Sequence, residues 1–218
     1  MRIVLLSLVL ALLPSCRDIQ PFQTVSQIRG YQLSGTITSQ NGIPLDSVSV
    51  RVYYEYDLVG YDPVDTQRVI VTDSTKIVDV AVYTPQFVFV KQLFFNYLHT
   101  GPVPNFFWDQ RDQQGASVKS GEYLIRYAID TQIVKYSVVV IDGHISATTD
   151  ALGHFILGAD RLPVGIVFDA YTTDNMYDAT LRVRPVLDLI LLKGALQSEY
   201  PNVQLNLNQI TTAGFTLG

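Results

Sequence analysis

Cys16 stands in the most telling chemical setting of the chain. It is the single cysteine among 218 residues, so its thiol has no disulfide partner within the chain. Before it come Met1-Arg2 and an apolar run over 3–13, interrupted only by Ser7. One cation followed by an apolar stretch of this length is the pattern of a secretory signal. It falls short of the roughly 20 apolar residues that span a bilayer. The second apolar stretch, 186–192, is short and holds Asp188, so it reads as a buried strand.

The other reactive side chains do not converge in sequence. His99, His144 and His154 have neither each other nor Cys16 at metal-ligand spacing. His144 and His154 can face each other across a hairpin around Thr149, where solvent-facing turn histidines are the simpler reading. There is no glycine-rich phosphate loop and no Gly-x-Ser-x-Gly nucleophile elbow. Asp57, Asp62 and Asp65 lie beside Tyr53, Tyr54, Tyr56 and Tyr61, but without the alternating oxygens and bend glycine of a calcium loop. Aromatic faces beside carboxylates suit sugars, so these four tyrosines are candidate ligand-binding residues. Core packing of alternate tyrosines is the competing reading. No catalytic residue, metal or cofactor is expected. The formal charge of −5 and the lack of a basic cluster argue against nucleic acid as partner. They also argue against electrostatic attraction to anionic lipid headgroups.

The elements that position these residues read as strands. The chain has 13 Tyr and 10 Phe, is 48% hydrophobic and only 16% charged, which is strand composition. Val48, Val50, Val52 and Tyr54 alternate with Ser47, Ser49, Arg51 and Tyr53. Val78, Val80 and Val82 alternate with Asp79 and Ala81. Turn signals fall at Asn41-Gly42, Gln114-Gly115, Ser120-Gly121, Asp142-Gly143 and Leu152-Gly153. The expected fold is all-β, with 189–198 the one stretch that suits a short helix. One core is expected to hold Leu33, Ile37, Val48, Val50, Val52, Phe155, Leu157 and Val167. Another is expected to hold Val78, Val80, Val82, Val90, Trp108, Tyr123 and Ile125.

Three resemblances sharpen this reading. Leu13-Pro14-Ser15-Cys16 resembles the lipobox of bacterial lipoproteins, which implies cleavage before Cys16 and acylation there. Arg17 follows, not the aspartate that retains such proteins at the inner membrane, so the resemblance implies the outer membrane. Gly35-Thr36-Ile37, Asn41-Gly42-Ile43-Pro44-Leu45 and Val48-Ser49-Val50 are similar to the opening of a carboxypeptidase regulatory-like domain, a non-catalytic transthyretin-like β-sandwich. Its later signature resembles Thr149-Asp150-Ala151-Leu152-Gly153-His154-Phe155 and Leu162-Pro163-Val164-Gly165. Between them, Trp108-Asp109-Gln110-Arg111-Asp112, Gly115, Ser120-Gly121 and Tyr123 are similar to FlgD-like Ig domains. There Phe87 and Gln110 stand where that family has glycine.

The resulting expectation is two sandwich modules, one inserted in the other. A signal peptide covers 1–15 and a lipidated tether 16–30. A regulatory-like sandwich covers 31–57 plus 143–195, with a FlgD-like Ig domain over 66–141 and a C-terminal extension over 196–218. The expected function is a non-enzymatic, lipid-anchored scaffold or adhesion module of the outer membrane, its partner an envelope protein or a glycan. The alternatives are a surface glycan-binding lipoprotein and, more remotely, an envelope glycosidase.

Overall fold

The structure, a computed structural model, describes residues 30–60, 70–103, 108–171 and 177–218, the side chains of 72–74 excepted. The fold is all-β. Its strands are β1 (Tyr31–Ser39), β2 (Ser49–Gly60), β3 (Ile70–Tyr83), β4 (Phe89–Pro102), β5 (Gly121–Ile129) and β6 (Gln132–Ile141). They continue as β7 (Ile145–Thr148), β8 (His154–Leu157), β9 (Val167–Tyr171), β10 (Tyr177–Lys193), β11 (Leu196–Gln204) and β12 (Gln209–Leu217).

Three sheets form from them. The first has the order β12-β1-β8, with β1 and β12 parallel. The second runs β11-β10-β2-β7, and β9 also pairs with β10. Their facing sides share one buried cluster. It includes Leu33 and Ile37 from β1, Val50 and Val52 from β2, Phe155 and Leu157 from β8, and Leu187, Leu189 and Leu191 from β10. Period-two alternation drives this, since successive strand side chains point to opposite faces. Val50, Val52 and Tyr54 turn inward, while Arg51, Tyr53 and Glu55 are only half-buried on the other face. Each fully buried leucine here contributes about 1.5–3 kcal/mol.

Gly35 has a specific reason to be glycine. A Cβ there would lie 2.1 Å from Cε1 of Phe155 and 2.9 Å from Cε2 of Phe215. Both rings therefore close over the backbone of β1.

The third sheet, β4-β3-β5-β6, is antiparallel and pairs only within itself among the described residues. Its own buried cluster holds Val78, Val80, Val82, Tyr123, Ile125 and Ile141. Val103, Trp108 and Val118, from the β4–β5 connection, complete that cluster. The cover on this face is thus supplied by connecting chain. Val90, expected inside, is partly buried against the cluster. Segments 31–60 and 145–217 pair with each other across the whole intervening stretch: Gly35 lies opposite Phe155, and Val52 opposite Leu189.

Three expectations need correction. Residues 196–218 are not an extension: β11 and β12 are integral, and Leu205, Phe215 and Leu217 sit in the first cluster. The 189–198 stretch is not helical. It is the β10–β11 hairpin, in which Lys193 pairs with Leu196 and Gly194 takes φ +59° in the turn between them. Val167 is 43% exposed, and its neighbour Phe168 packs on the core instead. A shift of one residue along a strand exchanges its faces.

The β5–β6 turn carries strain that a substitution can release. Ile129 pairs with Gln132, and Asp130 and Thr131 between them have φ of 46° and 75°. Such two-residue hairpin turns favour glycine, most of all at the second place. Left-handed backbone costs a non-glycine residue roughly 1–2 kcal/mol, and glycine returns about 0.4–1 kcal/mol through the unfolded chain. Thr131→Gly is expected to raise stability by up to about 1.5 kcal/mol, read as an upward shift of the urea midpoint. A fall in that midpoint would contradict the turn geometry.

Candidate functional site

The Trp-Asp-Gln-Arg-Asp turn is held together by its own side chains. The Trp108 indole N–H donates to the Arg111 carbonyl at 2.8 Å, and its ring meets Tyr123 edge-on at 5.0 Å. Oδ1 of Asp109 accepts the Arg111 N–H, and Oδ1 of Asp112 accepts those of Gln114 and Ala116. Lys91 reaches Asp109 at 2.7 Å and holds its carboxyl below the usual range. These carboxylates are occupied by structural bonds. Gln110 has φ +58° and Phe87 φ +60°, so the backbone is left-handed at both places singled out in the sequence. Asp150 builds a matching turn, accepting the N–H groups of Leu152 and His154.

The tyrosines do not form one surface. Tyr54 is buried at 6% exposure, and burial pushes its hydroxyl pKa up. Tyr56 packs against the same core and donates to Oδ2 of Asp142 at 3.1 Å. Tyr53 lies on the opposite face of β2, with its ring against Gly143. Tyr61 and Cys16 lie outside the described residues. The expected ligand site is therefore corrected for the three described tyrosines: Tyr54 is core, Tyr56 is partly buried against it, and Tyr53 lines a cleft on the other face. Strand periodicity separates Tyr53 from Tyr54, a consequence already written in their adjacency.

The two clusters meet at 141–144. Ser120 is buried, and its hydroxyl lies 3.2 Å from the Val52 carbonyl and 3.0 Å from that of His144 while accepting the His144 N–H. His144 Nε2 is 2.8 Å from Oε1 of Gln110, so His144 and His154 do not form a pair. Among the described residues, no group of three His, Cys, Asp or Glu side chains is placed to hold a metal ion.

Desolvation, then the charge of Arg51, depresses the His144 pKa below 6.5. The neutral imidazole is the folded form, so its stabilisation is complete above 6.5 and is lost as pH falls. Wild type should lose thermal stability between roughly pH 7 and pH 5, and His144→Gln should show a flatter profile. Identical profiles would contradict the assignment. Glu122 acts in the opposite sense in a lower window: desolvation raises its pKa, so its contribution fades as pH rises above 4.5.

Shallow clefts lie among the described residues. One, about 280 Å³, is lined by Tyr53, Asp188, Glu199, Tyr200 and Pro201 on the outer side of β2, β10 and β11. Asp188 there already accepts the Asn202 N–H at 2.8 Å. Another, about 250 Å³, runs between the β3–β4 turn (Thr84, Pro85, Gln86) and Asp160 and Arg161, with Lys119 and Glu122 in its floor.

No family model, curated protein or solved structure matches the chain. The surface itself is then the guide. Its most apolar part is the β3–β4 hairpin. Phe87 and Val88 are each 61% exposed, Phe95 is 71% exposed and Leu98 65%. Sequence reading treated Phe87 as a departure from a motif and passed over the stretch as strand. The available signal was the lack of any charge across 84–90 at a turn. No helix among the described residues is long and apolar enough to cross a membrane.

Proposed function

We propose that the chain is a non-enzymatic lipoprotein of the cell envelope, anchored by lipid on Cys16 and acting as an interaction module. The single observation that carries the interaction reading is the uncovered apolar hairpin, whose phenylalanines and valine face solvent in a chain with ample core to hide them. The Asp109, Asp112 and Asp150 carboxylates bond their own turn backbone, which supports reading those turns as structural. We read the two buried clusters as two modules, the one around Trp108 inserted between the halves of the other. The left-handed Phe87 and Gln110, at glycine positions of the FlgD-like pattern, support that resemblance.

The anchor is tested by fractionation. Wild type is expected in the outer-membrane fraction and Cys16→Ser in the soluble fraction. A Cys16→Ser protein that stays with the membrane would overturn the anchor.

The cleft around Tyr53 favours a second reading, glycan binding. One aromatic face beside Asp188 and Glu199 suits a sugar ring. Retention on a glycan matrix that is lost in Tyr53→Ala would support it, and equal behaviour of both proteins would remove it.

A further inference from the structure

The β3–β4 hairpin is built to hold its apolar tip outward. Thr84 fixes the turn: its N–H donates to the Val88 carbonyl, its carbonyl accepts the Phe87 N–H, and its hydroxyl accepts the Val88 N–H. Phe87 sits at φ +60°, a conformation that disfavours a bulky side chain, and yet its ring is 61% exposed. One edge of the ring meets Tyr136 at 5.8 Å. Val88 and Phe89 beside it are 61% and 47% exposed. A strained backbone that presents an aromatic to solvent points to a task for that aromatic.

What covers the tip follows from where the described chain begins. Gly30 lies against Ala159, 3.1 Å from an ideal Cβ. The next residues, Asp160 and Arg161, form one wall of the cleft whose other wall is Thr84, Pro85 and Gln86. The described chain therefore begins next to the segment that faces the β3–β4 turn across this cleft. Thirteen residues, 17–29, separate Gly30 from Cys16. Their contour length limits the span to roughly 45 Å. A lipid on Cys16 thus holds this end of the molecule within roughly 45 Å of the bilayer. The exposed cations Lys119 and Arg161 flank the cleft, with Glu122 and Asp160 beside them, a mixed set suited to zwitterionic headgroups.

We propose that Phe87, Val88 and Phe89 are seated in the interfacial layer of the same bilayer that holds the Cys16 lipid. The inference rests on the lipid-anchor reading above. Aromatic and aliphatic side chains gain by leaving water for the headgroup–acyl boundary. The tip and the anchor together fix the protein's orientation, which a single point of attachment leaves open.

The test uses the full lipidated chain in phosphatidylcholine vesicles with plain or brominated acyl chains. Trp108 is the single tryptophan and is 6% exposed, so wild-type emission serves as reference. Phe87→Trp is expected to add emission that is blue-shifted on vesicles and mostly lost with brominated lipid, while the wild type changes little. Val88→Trp, free of the left-handed backbone, gives the same reading if Phe87→Trp does not fold. Protein that sediments with vesicles while the added tryptophan emits equally from both lipids overturns the seated tip and spares the anchor. Wild type that fails to sediment overturns the anchor, and the inference with it.

Discussion

Trp108→Ala is expected to lower the unfolding free energy by about 3–5 kcal/mol, the range for truncating a buried tryptophan. The side chain is 6% exposed and closes one face of a single four-stranded sheet together with Val103 and Val118. Among the described residues, that cluster draws only on this sheet and the β4–β5 connection, so little can collapse into the space left behind. The change also removes the indole N–H from the Arg111 carbonyl and the edge contact with Tyr123. Urea unfolding followed by circular dichroism reads the effect as a lower midpoint. Leu152→Ala, at a position 63% exposed, is the control and should stay within about 0.5 kcal/mol of wild type. Equal midpoints for the two variants would mean that Trp108 does not close that core.

Gly153→Ala should be nearly as damaging, for a different reason. Gly153 has φ +75°, and a Cβ there would stand 2.4 Å from the Ile37 carbonyl oxygen and 3.1 Å from the Leu45 nitrogen. Both atoms belong to backbone, so neither can swing aside. The Ile37 N–H also donates to the Gly153 carbonyl at 2.8 Å. Left-handed strain of roughly 1–2 kcal/mol and overpacking of about 1–3 kcal/mol together give roughly 2–5 kcal/mol, read in the same urea titration. The variant probes the seam between the segment before residue 60 and the segment after 142. Gly165→Ala, left-handed at φ +85° but with open space around it, should lose only the strain component. If the two glycine variants lose the same stability, the close approach of the two segments is not there.

Much of the fold was legible because it is written in local alternation. Val48, Val50 and Val52 announce an inward face within five residues, and the structure buries all three. The turns at Gln114-Gly115 and Leu152-Gly153 were legible from their glycines, and the Asp112 and Asp150 side chains close them by bonding backbone a few residues on. The C-terminal strands were not. β11 carries Pro201 and Asn202, the latter at φ +60°, and β12 offers no run of large apolar residues in alternation before Phe215 and Leu217. Their place is set by distant partners: β12 lies parallel to β1, with Tyr31 opposite Gln209. No local pattern encodes a pairing across most of the chain.

The candidate site was legible only in part for a related reason. Adjacent tyrosines look like a cluster in sequence, but a strand sends Tyr53 and Tyr54 to opposite faces. The hairpin tip shows the reverse case. Its importance lies in exposure and in the nearness of Gly30 to the cleft wall, and neither is a property of the stretch itself.

The most direct test of the whole account is the intact mass of the mature protein recovered from membranes. The account predicts a chain that begins at Cys16 and carries a diacylglyceryl thioether and an amide-linked acyl chain. A chain that begins at Met1 or at another residue, or one whose Cys16 bears a free thiol, would contradict it.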